Sequence, residues 1–171
     1  MEFGALYCKP KSPNCFDCIL NYSCKAYSQK KVQYYPRKKY KNKIINRYLH
    51  FFIIIQKRKI YMGKRISGIW RGLYEFPFLE FQNHLSKKDV INSSDWFKIF
   101  NSSESLSIDK ISSQIIHKLS HQKLHVRFWH ISTEDLFLKD YKLVLLNDFY
   151  KYPVPILIDK YISTVGLGYK N

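Results

Sequence analysis

The feature that most constrains this chain is a group of cysteines near its start. All four cysteines fall within 17 residues, with the spacing C-x6-C-x2-C-x5-C: Cys8, Cys15, Cys18 and Cys24. The opening residues MEFGALYCKP lack the charged and long apolar regions of a secretory signal peptide. We therefore expect a cytosolic protein with reduced thiols and no disulfide framework.

Four thiols in so short a loop predict a metal centre. Structural zinc sites usually join two cysteine pairs that lie about 12–20 residues apart, whereas only one C-x2-C pair is present here. A compact loop that offers one thiolate to each iron suits a [4Fe–4S] cluster. The spacing alone leaves the cluster, a zinc ion and unliganded thiols open.

The charge of the chain is large and unevenly distributed. It has 29 Lys and Arg against 13 Asp and Glu, a net charge of +16. Residues 1–65 contain 16 of the basic residues and only two acids, Glu2 and Asp17, so this third carries +14 and the rest +2. Such an excess predicts a polyanionic partner, most often nucleic acid. The longest apolar run, residues 48–55, is far shorter than the roughly 20 residues of a membrane span, so no membrane partner is expected.

The pattern of the chain predicts three segments. The cysteine loop occupies residues 1–28, a basic linker residues 29–46, and a globular domain residues 47–165. In that domain, β-branched and aromatic residues predict strands at 47–56, 60–65, 110–118 and 122–132, with a strand or short helix at 142–150. Helices are expected within 86–100, where Ser86 and Ser94 are N-cap candidates, and at 152–163. We therefore predict an α+β fold with two or three helices.

The cysteine segment resembles a known family. GALYCKPKSPNCFDCILNYSCKAY resembles the iron–sulfur loop of helix-hairpin-helix DNA glycosylases, and most specifically of adenine DNA glycosylases of the MutY type, in its G-A-L lead-in and its cysteine spacing. The resemblance implies a [4Fe–4S] cluster on Cys8, Cys15, Cys18 and Cys24. It also implies phosphate contacts from basic side chains of the loop, for which Lys9, Lys11 and Lys25 are candidates; the alternative is that these lysines are simply solvated.

The globular part resembles the C-terminal domain of the same glycosylases, in MGKRISGIWRGLYEFPFLE (62–80) and YPVPILIDKYI (152–162). That domain is related to Nudix hydrolases, so the expected fold is a Nudix-like mixed sheet. A Nudix hydrolase needs a helix of the form R-E-x-x-E-E to hold Mg²⁺ on a diphosphate. No such motif occurs, and Glu75, Glu80 and Asp89 are scattered. Hydrolysis of a diphosphate is therefore not expected.

In the family, this domain recognises 8-oxoguanine opposite adenine through a loop of the form aromatic-Ser-His. The matching positions are Leu119, Ser120 and His121, with leucine in place of the aromatic residue. Guanine N7 is only an acceptor, whereas 8-oxoguanine carries a hydrogen there that the Ser120 hydroxyl can accept. The expected partner is double-stranded DNA containing 8-oxoguanine:adenine mispairs. The alternative is an ordinary polar turn between two strands.

The catalytic acids of the family lie in a helical domain that precedes the cysteine loop, so no catalytic residue is assigned in this chain. We expect the chain to be inactive alone and to work with a helical catalytic domain, which a separate reading frame could encode, at the bacterial nucleoid. A stand-alone basic, metal-bearing module that binds nucleic acid without chemistry is the alternative. The histidines at 117, 121, 125 and 130 and the three tryptophans are expected to be scattered surface or core residues.

Overall fold

A computed structural model describes residues 2–9, 11–35, 44–100 and 106–167. The chain divides into two compact units, Met1–Lys43 and Ile44–Asn171. The expected linker at 29–46 spans this division, and its residues 36–43 lie outside the described part. The domain expected at 47–165 lies within the second unit, whose first strand begins at Ile45.

The first unit consists of short helical turns joined by loops. Its α-helices are α1, Glu2–Leu6, and α2, Lys25–Ser28, and its 3-10 helices are Asn21–Ser23 and Val32–Tyr34. None of its described residues is buried. Helices of three to five residues have little stability of their own, so this unit depends on contacts other than an apolar core.

The second unit is a mixed β-sheet with three α-helices among its described residues, which confirms the predicted α+β class. The strands are β1, Ile45–Gln56; β2, Lys59–Lys64; β3, Tyr74–Glu75; β4, Phe78–Phe81; β5, Leu106–Ile111; β6, Ile115–Lys118; β7, Gln122–Thr133; and β8, Lys142–Leu145. The helices are α3, Lys87–Ile91; α4, Ser94–Phe100; and α5, Ile156–Val165, and a 3-10 helix spans Leu146–Lys151. No helix in the described ranges is long and apolar enough to cross a membrane.

The centre of the sheet is the parallel pairing of β1 with β7, which runs from Ile45↔Gln122 to Ile55↔Ser132. The strand order is β3-β2-β1-β7-β5, with β4 also paired to β1, β6 to β7, and β8 to β2. All of these other pairings are antiparallel. Because α5 packs on one face of the sheet and α3 and α4 on the other, the middle residues of β1 and β7 are buried on both faces.

Two apolar clusters lie on opposite faces of these central strands. One contains Leu49 and Phe51 of β1 and the buried side of α5. The other contains Phe52 of β1 and Trp129 of β7, against which Trp96 of α4 packs. The period-two alternation of a strand distributes its side chains in this way.

The structure refines several predicted elements. The predicted strand 110–118 is wrong as one element, because β5 ends at Ile111 and β6 begins at Ile115. The Ser112 amide still donates to the Phe128 carbonyl of β7, and pairing with β7 resumes at Ile115↔Val126 after one extra residue on the side of β5 and β6. Segment 142–150 contains both alternatives, a strand followed by a 3-10 helix. The last helix begins at Ile156, after Pro155, because proline lacks the donor that a helix interior needs. Ser86 caps α3 in a reciprocal capping box with Asp89.

A buried histidine links the two central strands. The His50 side chain is only 4% exposed, and its Nδ1 accepts a hydrogen bond of 3.0 Å from Nε1 of Trp129. Burial, followed by the charges of Arg127 and His84, lowers the pKa of His50 from 6.5 to about 4. The imidazole is therefore neutral in the folded protein, as its acceptor role requires.

We predict that this histidine makes stability depend on pH. In the unfolded chain it protonates near 6.5 but in the folded chain only near 4, so its contribution is complete above the first value and is lost as the pH falls towards the second. The loss is roughly 3 kcal/mol. Urea unfolding of His50→Gln, which still offers an acceptor to Trp129, is expected to lose most of this dependence. His121→Gln, an exposed control, is expected to keep it, and equal pH profiles for the two variants would contradict the assignment.

Candidate functional site

The four cysteines line one cavity of about 260 Å³ within the first unit. Cys8 is exposed and the other three are partly buried. The pKa of Cys15 is raised by desolvation and then by the neighbouring Cys18, Cys24 and Cys8, so these three residues lie close to the Cys15 thiol. The remaining wall is mainly apolar and aromatic, and includes Phe3, Tyr7, Tyr27 and Val32.

Backbone turns gather these cysteines. The Asn14 amide donates to the Tyr7 carbonyl, which closes the loop between the first two cysteines. The Cys18 amide donates to the Cys15 carbonyl, and the Cys24 amide to the Asn21 carbonyl. In the described part of the chain, no three His, Cys, Asp or Glu side chains are positioned around a single metal ion. Four thiols that line one cavity match the ligand set of a cluster with one thiolate per iron, whereas a single zinc would draw its ligands to about 2.3 Å from one point.

Lys9, Lys11 and Lys25 are all exposed on this unit. No ion pair of the described residues includes any of them. Their side chains are therefore accessible to an anionic partner, and contact with phosphate stays a prediction.

The predicted lesion-recognition residues form the loop of a β-hairpin between β6 and β7. The Leu119 amide donates to the Gln122 carbonyl at 2.8 Å and closes the loop, with Ser120 and His121 exposed at its tip. Leu119 is half-buried against the apolar cluster of α5. The His121 carbonyl accepts from the Ile45 amide at 3.1 Å, which ties the loop to the start of β1. Leu119 therefore anchors the loop, and Ser120 and His121 are presented to the solvent.

Sequence reasoning missed a polar network beside this hairpin. Gln114 Nε2 donates to Nδ1 of His125, and His125 Nε2 donates to Oδ1 of Asn46, both at 3.1 Å. The His125 ring stacks on Tyr48 with ring centroids 4.6 Å apart. Desolvation, then the charges of Lys123 and His84, lowers the pKa of His125, consistent with a neutral ring. The signal in the sequence that could have indicated this network was the change from polar to apolar residues along one face of β1.

The other singled-out histidines and tryptophans have separate surroundings. His130 bonds to the Tyr161 hydroxyl at 2.7 Å, and His117 lies against Trp70. Trp96 and Trp129 are buried in the second apolar cluster, whereas Trp70 is only partly buried.

Comparison with known proteins defines the second unit. The model of the NUDIX domain family matches residues 50–164, most of this unit. The chain belongs to the NUDIX domain family.

The curated relatives confirm the resemblance to adenine DNA glycosylases. An adenine DNA glycosylase of Buchnera aphidicola subsp. Schizaphis graminum is 32% identical over 130 residues, which are 74% of this chain and 34% of the relative. The corresponding protein of subsp. Baizongia pistaciae is 33% identical over 128 residues, with the same coverage. The chain thus spans about a third of the length of these relatives.

The fold resembles the C-terminal domain of mouse MUTYH, solved in a complex with human PCNA. The TM-score is 0.54 at 14% identity, covering 70% of this chain and 87% of that domain. The MutT protein of Methanosarcina mazei gives a TM-score of 0.53 at 11% identity, covering 75% of this chain and 96% of that one. At these identities the likeness shows the fold alone.

The three scattered carboxylates of this NUDIX domain have structural roles. Glu75 is buried and forms an ion pair of 2.5 Å with Arg65, whose guanidinium also lies over the ring of Phe78. Glu80 pairs with Arg47 at 2.5 Å, and Asp89 accepts from the backbone and side chain of Ser86 at the start of α3. Desolvation, offset in part by Arg65, raises the pKa of Glu75. Each of these three carboxylates has its own partner, and together they do not form a set of ligands for one metal ion.

We predict that Glu75 supports stability through Arg65. The side chains of this pair are 7% and 9% exposed, so Glu75→Gln leaves a buried guanidinium without its counter-charge, at a cost of about 3–5 kcal/mol in the free energy of unfolding. The matched control is Glu80→Gln. Its pair with Arg47 is more exposed, at 35% and 21%, and its loss is expected to cost about 1 kcal/mol or less. Equal losses in urea unfolding would show that burial of the first pair has no special effect.

Proposed function

We propose that this chain is the cluster-binding and lesion-recognition part of an adenine DNA glycosylase in base-excision repair. The observation that carries the proposal is the combination of two features in one chain. A loop whose four cysteines line one cavity precedes a NUDIX-fold unit that presents a Ser-His hairpin. The relatives named adenine DNA glycosylase and the excess of positive charge support the same conclusion.

The cysteines fit a [4Fe–4S] cluster in which Cys8, Cys15, Cys18 and Cys24 each supply one thiolate. The cluster would cross-link the short turns of a unit that has no buried residue in its described part. It would hold Lys9, Lys11 and Lys25 in one exposed region, where they contact DNA phosphates. The role of the cluster here is structural, and the lysines of the chain make the contacts with DNA phosphates.

Recognition of the lesion is assigned to the hairpin. The Ser120 hydroxyl accepts a hydrogen bond from N7–H of 8-oxoguanine, which guanine cannot donate. His121 donates to the lesion or to a neighbouring phosphate. Leu119 holds the loop against the apolar cluster of α5. The substrate is double-stranded DNA with 8-oxoguanine, or guanine, opposite adenine.

Removal of adenine is assigned to a helical catalytic domain that acts together with this chain. Glycosylases flip the target base into a pocket that contains positioned acid groups, and the carboxylates of the NUDIX unit described above have other roles. Several apolar side chains of the first unit are widely exposed, among them Leu6, Phe16, Ile19 and Tyr22 at 62–85%. Exposed apolar surface of this kind favours a protein interface. A repair role places the protein at the nucleoid, in the cytoplasm.

Anaerobic reconstitution tests the cluster. The chain is expected to bind about four irons and to show the broad visible absorbance of an iron–sulfur cluster. Cys18→Ala is expected to lose most of the iron, whereas Asp17→Asn, which changes the adjacent residue and keeps every thiol, retains it. Binding of one zinc and no iron by the unaltered chain would contradict the proposal.

The hairpin is tested by titrating two duplexes, with 8-oxoguanine or guanine opposite adenine. One hydrogen bond contributes roughly 0.5–1.5 kcal/mol, so we expect a preference of about two- to tenfold for the lesion duplex. Ser120→Ala is expected to remove most of it, and Ser113→Ala, an exposed serine in the preceding turn, to preserve it. Equal affinity of the unaltered chain for both duplexes would leave the hairpin as a plain turn. Release of adenine by this chain alone would overturn the assignment of catalysis to another domain.

A further inference from the structure

On one face of the sheet, the side chains of β1 and β7 change from polar near the Ser120 hairpin to apolar further along the strands. On this face, Phe52 and Ile54 of β1 and Trp129 and Ile131 of β7 are apolar and are buried together with residues of α3 and α4. Residues towards the Ser120 hairpin are polar and at least partly exposed: Asn46 and Tyr48 on β1, and Lys123 and His125 on β7. On the opposite face, Leu49 of β1 and Leu124 and Val126 of β7 are buried. On this face, the halves of β1 and β7 next to the hairpin are therefore polar and at least partly exposed, whereas the apolar residues further along both strands are buried.

Two lysines of this polar half oppose each other across the hairpin. Lys118 of β6 and Lys123 of β7 are direct partners in the antiparallel ladder, and Asn46 of β1 lies beside Lys123. Like charges that face each other across strands destabilise a sheet. Among the strand residues that share this face on β1, β4, β6 and β7, there is no Asp or Glu. The fold therefore maintains an unfavourable pair of positive charges at this position.

The rest of the surface is fixed by its own contacts. The bonds from Gln114 and to Asn46 hold the His125 ring, which stacks on Tyr48. The edge of the His84 ring contacts Tyr48 and so borders the surface. Side chains held in this way lose little conformational entropy when a partner binds. The result is a preformed polar surface with cations at one end.

We propose that this basic strip, formed by Asn46, Tyr48, Lys118, Lys123 and His125, binds the phosphate backbone of duplex DNA beside the base read by the hairpin. The inference rests on the proposed function and extends it to a surface without a role so far. Lys118 and Lys123 flank the Ser120–His121 tip on its two strands. Recognition of a base needs neighbouring phosphate contacts that fix the register of the protein on the duplex. Lys118 and Lys123, one on each strand of the hairpin, can make these contacts while the tip meets the lesion.

Salt dependence of DNA binding tests the strip. Each neutralised phosphate contributes about 0.9 to the slope of log affinity against log salt. Lys118→Gln with Lys123→Gln in the full chain is therefore expected to reduce the slope by about 1.8 and to weaken binding of both duplexes equally. The control removes the same charge elsewhere, with Lys139→Gln and Lys160→Gln, two exposed lysines outside the strip. It is expected to leave the slope unchanged.

The outcomes separate this inference from the proposed function. Ser120→Ala alters the preference for 8-oxoguanine and leaves the slope as it was, whereas the strip variant alters the slope and leaves the preference. An unchanged slope in the strip variant, or an equal reduction in the control, would overturn the inference even if the hairpin discriminates. Polyglutamate is the probe for an acidic protein partner. If the strip variant keeps the salt slope of DNA binding but no longer binds polyglutamate, the inference is overturned and the strip is assigned to an acidic protein.

Discussion

The parallel pairing of β1 with β7 is the constraint on which the rest of the NUDIX unit depends. It places two long strands side by side at the centre of the sheet and leaves one face to α5 and the other to α3 and α4. The same ladder begins where the His121 carbonyl accepts from Ile45. The position of the Ser120–His121 loop is thus set by the core of the fold, and a shift of register would reverse the faces of the strands and move the loop.

The sequence allowed much of this sheet to be predicted, but not its pairing. The apolar residues at 47–56 and 122–132 predicted the two central strands, and Ser86 predicted the start of α3, because these signals are local. The partner of a strand is set by contacts far along the chain, so the parallel β1–β7 pairing was not predictable from periodicity. The break between Ile111 and Ile115 was missed for the same reason, since it is defined by how β5 and β6 each pair with the distant strand β7. The polar network around His125 also joins residues of β1 and β7 to Gln114, which lies between β5 and β6.

The cysteine loop shows the opposite relation between sequence and structure. Its cysteine spacing is entirely local, and the turns at Asn14, Cys18 and Cys24 bring the four side chains to one cavity, as the spacing suggested. The spacing could not show that this unit lacks an apolar core, since none of its described residues is buried. A unit without an apolar core must obtain its folding free energy elsewhere, from a bound metal centre or a partner surface. The proposed cluster and the exposed Phe16 and Tyr22 correspond to these two sources.

Three carboxylates of the NUDIX unit, at positions 75, 80 and 89, have structural partners rather than one shared site. A divalent cation on a diphosphate needs several carboxylates directed at one point, but Glu75, Glu80 and Asp89 are each committed to a different structural contact. The buried pair of Glu75 with Arg65 is the strongest such commitment, because neither side chain can be removed alone without leaving an unpaired charge. The roles proposed for the hairpin and for the strip beside it require donors, acceptors and positive charge rather than a metal.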